Sequence, residues 1–379
     1  MTVEDSTEPA DRPRRRPALR KAALATGAGL AVGAAAVAAE KYAVRRARSR
    51  PDPARSEALA ERPGQERRVA SFDGTQLAVH AVGPKDAPTL VFLHGFSLDL
   101  TAWHYQWKHF SETYRCVLYD QRGHGRSAAA AGGDHSIEAM GRDLKAVLDA
   151  LDVPGPVVLI GHSMGGMAVL AFAAEFPEEM RGRVAGVVLA NTAAAELLKG
   201  MVSAVGARTG AVLLAALRRL GSDPVRVHRI RARAFAKQAD VAFLIAMLTN
   251  FGPKAPPSVV DHVVALAAAT PVEVWTDGLR SLLEMDLSHA LQHVTAPSLV
   301  LVGDRDRLTP PASALAIKRR LPDARMVVLQ GAGHCMMLER SEQWNRVVEE
   351  FAATAVARWR DSRSAGSKGR GRKRQRTSA

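Results

Sequence analysis

Three residues of this chain have the types, order and surroundings to do chemistry together: Ser163, Asp306 and His334. Ser163 lies in Gly161-His162-Ser163-Met164-Gly165. Before it, Val157-Val158-Leu159-Ile160 reads as a short buried parallel strand. After it, Met164 to Phe176 reads as an Ala-rich helix stopped by Pro177. A strand, a sharp turn and a helix lift a serine hydroxyl above the sheet edge and make it a candidate nucleophile. The flanking glycines suit a turn too tight for a Cβ on either side, and the helix N-terminus offers N–H groups and a positive dipole end to an anion. The competing reading is an ordinary Gly-rich turn.

Acyl transfer by a serine also needs a base, an acid to orient it and donors for the oxyanion. Gly331-Ala332-Gly333-His334 directly follows the expected strand Met326–Leu329, so His334 is the candidate base. The acid should sit at another strand end. Gly303-Asp304-Arg305-Asp306-Arg307-Leu308-Thr309-Pro310 follows Leu299–Val302. Asp306, deeper in that loop, is the candidate, and Asp304 is assigned to stabilising the turn. The oxyanion donors are expected to be the backbone N–H of Met164, at the helix start, and that of Phe96, in Leu93-His94-Gly95-Phe96. His94 is given the task of shaping that loop. No His, Cys, Asp or Glu cluster has metal-ligand spacing, so no metal or organic cofactor is expected.

These residues have to be carried by a sheet. Strands are expected near Val69–Phe72, Leu77–Val82, Thr89–Leu93, Cys116–Tyr119, Val157–Ile160, Val184–Leu189, Leu299–Val302 and Met326–Leu329. Helices are expected near Ile137–Leu151, Met164–Phe176, Ala312–Arg320 and Ser341–Trp359. A hairpin turning at Asp73-Gly74, followed by alternating strands and helices, points to the α/β class: a mostly parallel central sheet flanked by helices. The alternation breaks over residues 191–288, which read as a helical cap inserted between the core segments 65–190 and 289–360. Its first half is rich in arginine, Arg208 to Lys237. Its apolar faces, Val212 to Leu217 and Phe243, Leu244, Met247 and Leu248, are candidates to roof a pocket.

A net charge of +14 first suggests a nucleic-acid partner, but its distribution argues otherwise. Residues 1–55 carry 12 basic and 6 acidic side chains, and residues 356–379 carry 9 and 1, which leaves the body neutral. A neutral body has no basic groove, and no nucleic-acid recognition motif is visible, so only the ends are suited to polyanions or an anionic surface. Residues 1–50 form a basic segment around an uncharged Ala/Gly/Val/Leu run of 18 residues at 22–39, barely the length of a membrane span. It is read as a membrane anchor, with its orientation open because arginines flank both sides. The alternatives are an export signal with the twin-arginine-like Arg15-Arg16, or a surface helix on a cytoplasmic protein. Residues 51–64 read as a linker and 361–379 as a basic tail without structure. Cys116 and Cys335 are expected to be free, and His104 and His109 to serve packing or the surface.

The order Ser163, Asp306, His334, the Leu93–Phe96 loop, the elbow extended by Gly166 and the turn Asp120-Gln121-Arg122-Gly123-His124-Gly125-Arg126-Ser127 together make the chain similar to the α/β-hydrolase fold family over about residues 66–358. The resemblance implies a serine hydrolase acting on carboxylic esters, acylglycerols included, with the Asp120–Ser127 turn structural. The elbow and turn look like those of monoacylglycerol lipases, esterases and cofactor-free haloperoxidases alike. A perhydrolase or a C–C bond hydrolase on the same triad is the alternative, and a binding protein that has lost the chemistry is a third. Dehalogenases and epoxide hydrolases of this fold carry aspartate where Ser163 stands.

Overall fold

Runs of Val, Leu, Ile and Phe too short for helices are best buried as strands, and eight of them form one sheet. The computed structural model describes residues 38–153, 155–195 and 239–376, with side chains to residue 364. The strands are β1 Glu66–Ala70, β2 Gln76–Val82, β3 Thr89–Leu93, β4 Arg115–Tyr119, β5 Val157–His162, β6 Val184–Ala190, β7 Ser298–Gly303 and β8 Arg325–Leu329. Their order is β1-β2-β4-β3-β5-β6-β7-β8. Only the β1/β2 and β2/β4 pairs are antiparallel. Strands β3, β5, β6 and β7 are buried throughout, as parallel strands covered on both faces must be.

Register aligns the carboxyl ends of the parallel strands. Leu93 pairs with Gly161, His162 with Ala190, Ala190 with Leu301, and Gly303 with Leu329. Every loop that follows therefore starts from the same edge, where ligands bind in open α/β sheets. Alternation along β3 divides the core. Val91 and Leu93 join the cluster formed with helices Ile137–Ala150 and Met164–Glu175. Phe92 faces the other way, 5.3 Å from the Trp103 ring, which lies 5.6 Å from Trp344 of the final helix. Helix Ile137–Ala150 starts where the Ser136 hydroxyl accepts the Ala139 N–H. Helix Met164–Glu175 is apolar all round and buried, as a helix pressed onto a sheet should be.

Several expectations need correction. The first strand lies earlier than Val69–Phe72, because Ser71–Gly74 is consumed by the turn, with Gly74 donating to Ser71 O at φ +85°. Phe72 ends up half-exposed between the guanidiniums of Arg122 and Arg142, each 5.1 Å from its ring. Short helices His104–Phe110 and Pro177–Arg183 were not expected, being too brief to show a period. Residues 51–64 hold no helix or strand, yet Arg62 is tied into the core. The last helix runs over Ser341–Arg376, through the stretch expected to lack structure. Its Arg, Lys, Gln and Ala favour helix, and it contains no proline to stop it.

Of the expected cap, residues 196–238, with the arginines from Arg208 to Lys237 and the Val212–Leu217 face, lie outside the described residues. The rest is helical, over Ala239–Asn250, Pro257–Ala269 and Val272–Glu284. Its apolar face divides: Phe243 is buried and Leu248 exposed. The chain forms two units, 1–49 and 50–379. Of the first, residues 38–48 are helical, and 22–37 lie outside the described residues. Among the described residues no single helix is long and apolar enough to cross a membrane.

Candidate active site

Ser163 directly follows β5 and is the N-cap residue of helix Met164–Glu175 with φ +53° and ψ −121°, a conformation that a non-glycine residue adopts only when its surroundings impose it. Here they do. The Ser163 N–H donates to Ala190 O at 3.0 Å, its carbonyl accepts from Gly166 N and Met167 N, and the Thr192 hydroxyl donates to the same carbonyl at 2.7 Å. A Cβ on Gly165 would sit 2.1 Å from the Leu93 carbonyl oxygen, so the elbow packs directly on the end of β3.

Leu93 leads into the loop of His94 and Phe96. Burial pushes the His94 pKa down to about 4, so the ring is neutral. Its Nδ1 faces Gly95 O at 2.8 Å and its Nε2 receives the Gln121 N–H at 2.9 Å, which fixes the proton on Nδ1. His94 thus braces its own loop against the turn after β4. The Phe96 ring lies beside His124 and beside Trp275 of the cap helix Val272–Glu284, at 5.9 and 5.8 Å. The backbone N–H groups of Phe96 and Met164 have no hydrogen-bond partner among the described residues.

The loops after β7 and β8 bring Asp306 and His334 together. His334 Nδ1 lies 2.8 Å from Asp306 Oδ2, with both side chains buried. Asp306 also accepts the N–H groups of Leu308 and Thr309 and the Thr309 hydroxyl, at 2.7 to 2.9 Å. The Oδ2 atom beside Nδ1 orients the imidazole so that Nδ1 faces the carboxylate and Nε2 is left for the serine. Asp304 accepts the Gly331 N–H at 2.6 Å, bracing the turn as expected. Among the described residues no hydrogen bond joins the Ser163 hydroxyl to His334. Such contacts are commonly long before substrate arrives.

Four residues that the sequence did not single out support the loops. Asn191 ends β6 and donates from Nδ2 to the carbonyls of Gly333 and His334. Thr192 holds the serine carbonyl. His162 places Nε2 2.9 Å from His334 O, and its ring 4.8 Å from the His334 ring. Burial and the neighbouring His334 hold the His162 pKa well below its usual value, so the bond is an Nε2–H donated to a carbonyl. Glu339, whose pKa burial raises, accepts Gly252 N–H and Gly333 N–H from beneath, both at 2.9 Å. Only His162 carried a local signal, its place inside the pentapeptide.

The remaining titratable groups do other work. Cys116 and Cys335 are free and buried, and burial drives both thiols far above their usual pKa, which leaves neither nucleophilic. His104 is buried against Tyr105 and Trp107, while His109 meets Glu349 at the surface. Among the described residues no cluster could hold a metal ion.

Comparison with known proteins agrees with this fold. A family model described as alpha/beta hydrolase fold matches residues 88–341. The chain is 28% identical over 285 residues to a non-heme chloroperoxidase of Burkholderia pyrrocinia, covering 73% of this chain and 96% of that protein. It is 29% identical over 267 residues to 3-oxoadipate enol-lactonase 2 of Acinetobacter baylyi, covering 70% and 89%. Among solved structures, a thermophilic esterase from Thermogutta terrifontis shares the fold with a TM-score of 0.58 at 24% identity, over 77% of this chain and all of that one.

Proposed function

The chain belongs to the α/β-hydrolase fold family and is a hydrolase, and on that premise we propose that it cleaves carboxylic esters through Ser163, His334 and Asp306. The observation that carries the proposal is the buried Asp306–His334 pair at the same sheet edge as the elbow serine. His334 Nε2 takes the Ser163 proton as the hydroxyl oxygen attacks the ester carbonyl carbon. The Phe96 and Met164 N–H groups receive the oxyanion, which supports the assignment because both lack another partner among the described residues. Asp306, with Oδ2 at 2.8 Å from Nδ1, stabilises the imidazolium. The tetrahedral centre collapses, His334 returns the proton to the leaving alcohol, and the acyl-enzyme remains. Water then attacks with His334 as base, releasing the acid and restoring Ser163.

A second reading on the same residues puts hydrogen peroxide in the place of that water, giving a peracid. The likeness to a chloroperoxidase favours it. Both begin with the same acyl-enzyme, so one experiment comes first: hydrolysis of p-nitrophenyl esters from acetate to palmitate by the full chain and by Ser163→Ala. Turnover that disappears in the variant, with circular dichroism unchanged, is the expected result, and the chain-length optimum sizes the acyl pocket. Wild-type turnover in Ser163→Ala would end the proposal. Adding peroxide and assaying peracid separates the two readings.

A further inference from the structure

Nucleophile, acid and base sit on three separate loops, so something must keep those loops in register. At the end of β6 one side chain bonds to two of them. Asn191 donates from Nδ2 to Gly333 O at 2.9 Å and to His334 O at 2.6 Å, and its Oδ1 accepts the Gly303 N–H at 2.9 Å. Gly303 O accepts the Asp306 N–H at 3.2 Å, closing the turn that presents the acid. The amide therefore ties the backbone of the base to the backbone that carries its acid. The next residue, Thr192, holds the carbonyl of Ser163.

The chemistry of the position admits little else. A carboxamide has two donor hydrogens and one acceptor oxygen, and here both hydrogens meet carbonyls and the oxygen meets an N–H. The side chain is 1% exposed, so each bond replaces one that water cannot supply. Aspartate would aim an oxygen at two carbonyl oxygens, and leucine would take the amide partner from Gly333 O and Gly303 N–H and leave His334 O to His162 alone. The loops also approach too closely for slack: a Cβ on Gly303 would lie 2.3 Å from Ala332 O and 2.6 Å from Gly333 O. The backbone φ of Asn191, +43°, is one that asparagine tolerates better than most residues. The His334 carbonyl receives a second donor, His162 Nε2–H, from the residue preceding the serine.

We infer that Asn191 is a positioning residue, which sets His334 against Asp306 and within reach of Ser163 by fixing the backbone of both loops from the end of β6. This rests on the serine-hydrolase proposal above. Its action is on transition-state geometry, so its loss lowers kcat with little change in KM. A misplacement of about 1 Å in a catalytic group costs about 100-fold.

The test is steady-state kinetics on a p-nitrophenyl ester with full-length Asn191→Gly, which accepts the φ, and the near-isosteric Asn191→Asp, beside Ser163→Ala. Each variant's folded fraction is read by thermal melting. The expected result is a kcat about 10- to 100-fold lower in both Asn191 variants per folded molecule, with KM within about threefold. Wild-type kcat in either folded variant, with Ser163→Ala inactive, overturns the role of Asn191 and leaves the triad standing. So does a loss confined to KM or to the folded fraction. An active Ser163→Ala overturns the triad, and this inference with it.

Discussion

Asp120 and Asp306 are both buried carboxylates just beyond strand ends, on the loops after β4 and β7, and both accept backbone N–H groups. Their remaining partners differ. Asp120 takes Leu100 N–H, Arg126 N–H and, at 2.8 Å, the guanidinium of Arg62, which also grips Asp99 at 2.6 Å. Burial and Asp99 push the Asp120 carboxyl pKa upward, and Arg62 is the cation that opposes them. Asp306 instead meets an imidazole. A guanidinium never gives up its proton, so Asp120 closes a structural knot. An imidazole can gain and lose one, so on the proposed function Asp306 orients the group that reacts. On the proposed function, two turns of one sheet edge, with β3, β5 and β6 between their strands, thus divide into one that holds shape and one that serves proton transfer.

The largest effect is expected from breaking the reactive side. Asp306→Asn retains an acceptor for Leu308 and Thr309 but presents an amide to His334, favouring the wrong tautomer. Its kcat should fall by about 10³- to 10⁴-fold with the melting temperature close to wild type. Steady-state kinetics beside a thermal melt checks this, and a variant within tenfold of wild type would place Asp306 with Asp120 as a structural group.

Breaking the structural side should reverse the signature. Arg62→Met leaves Asp99 and Asp120 without their shared cation and should cost about 3–5 kcal/mol of stability. Urea midpoints report it, while kcat per folded molecule should stay within a few-fold. Lost activity at full stability would show that the knot does more than hold shape.

The effect that is smallest near neutral pH concerns the histidines beside the knot. Burial depresses His94 from an ordinary pKa of 6.5 to about 4 and His124 to about 3. The unfolded chain then takes up these protons first, so stability is complete above pH 6.5 and falls on acidification towards pH 4. Each histidine contributes a slope of up to about 1.4 kcal/mol per pH unit in that window. Urea titrations at several pH values should show it, with a shallower slope in His94→Asn. An unchanged slope would mean that His94 is not the neutral brace its contacts describe.

The sequence pointed to the candidate site in proportion to how local its signals are. Ser163 was legible because strand, glycines and helix are adjacent in the chain. Asp306 and His334 were legible as loop residues after apolar strands, and seven of the eight strands overlap their expected spans closely. Asn191 and Thr192 looked like the start of the cap, because nothing in their neighbourhood shows that their partners lie at Gly303, Gly333 and Ser163. Arg62, among prolines and exposed residues, read as linker, since a single buried arginine leaves no periodic trace. Pairings across long separations are set by sheet register, which hydrophobic pattern alone does not encode.

Strands β6 and β7 pair directly, although about a hundred residues separate them in the chain. That excursion departs and returns through a single doorway, where Ala195 bridges Asp286 and Leu287 N–H meets Ala194 O at 2.7 Å. Among the described residues the excursion adds no strand to the sheet. Its described part is nonetheless seated on the loop of the candidate base: Cys335 N–H meets Asn250 O at 2.8 Å, and Glu339 joins Gly252 to Gly333. An engineer who exchanges that stretch to suit a new substrate therefore also inherits the task of reseating His334.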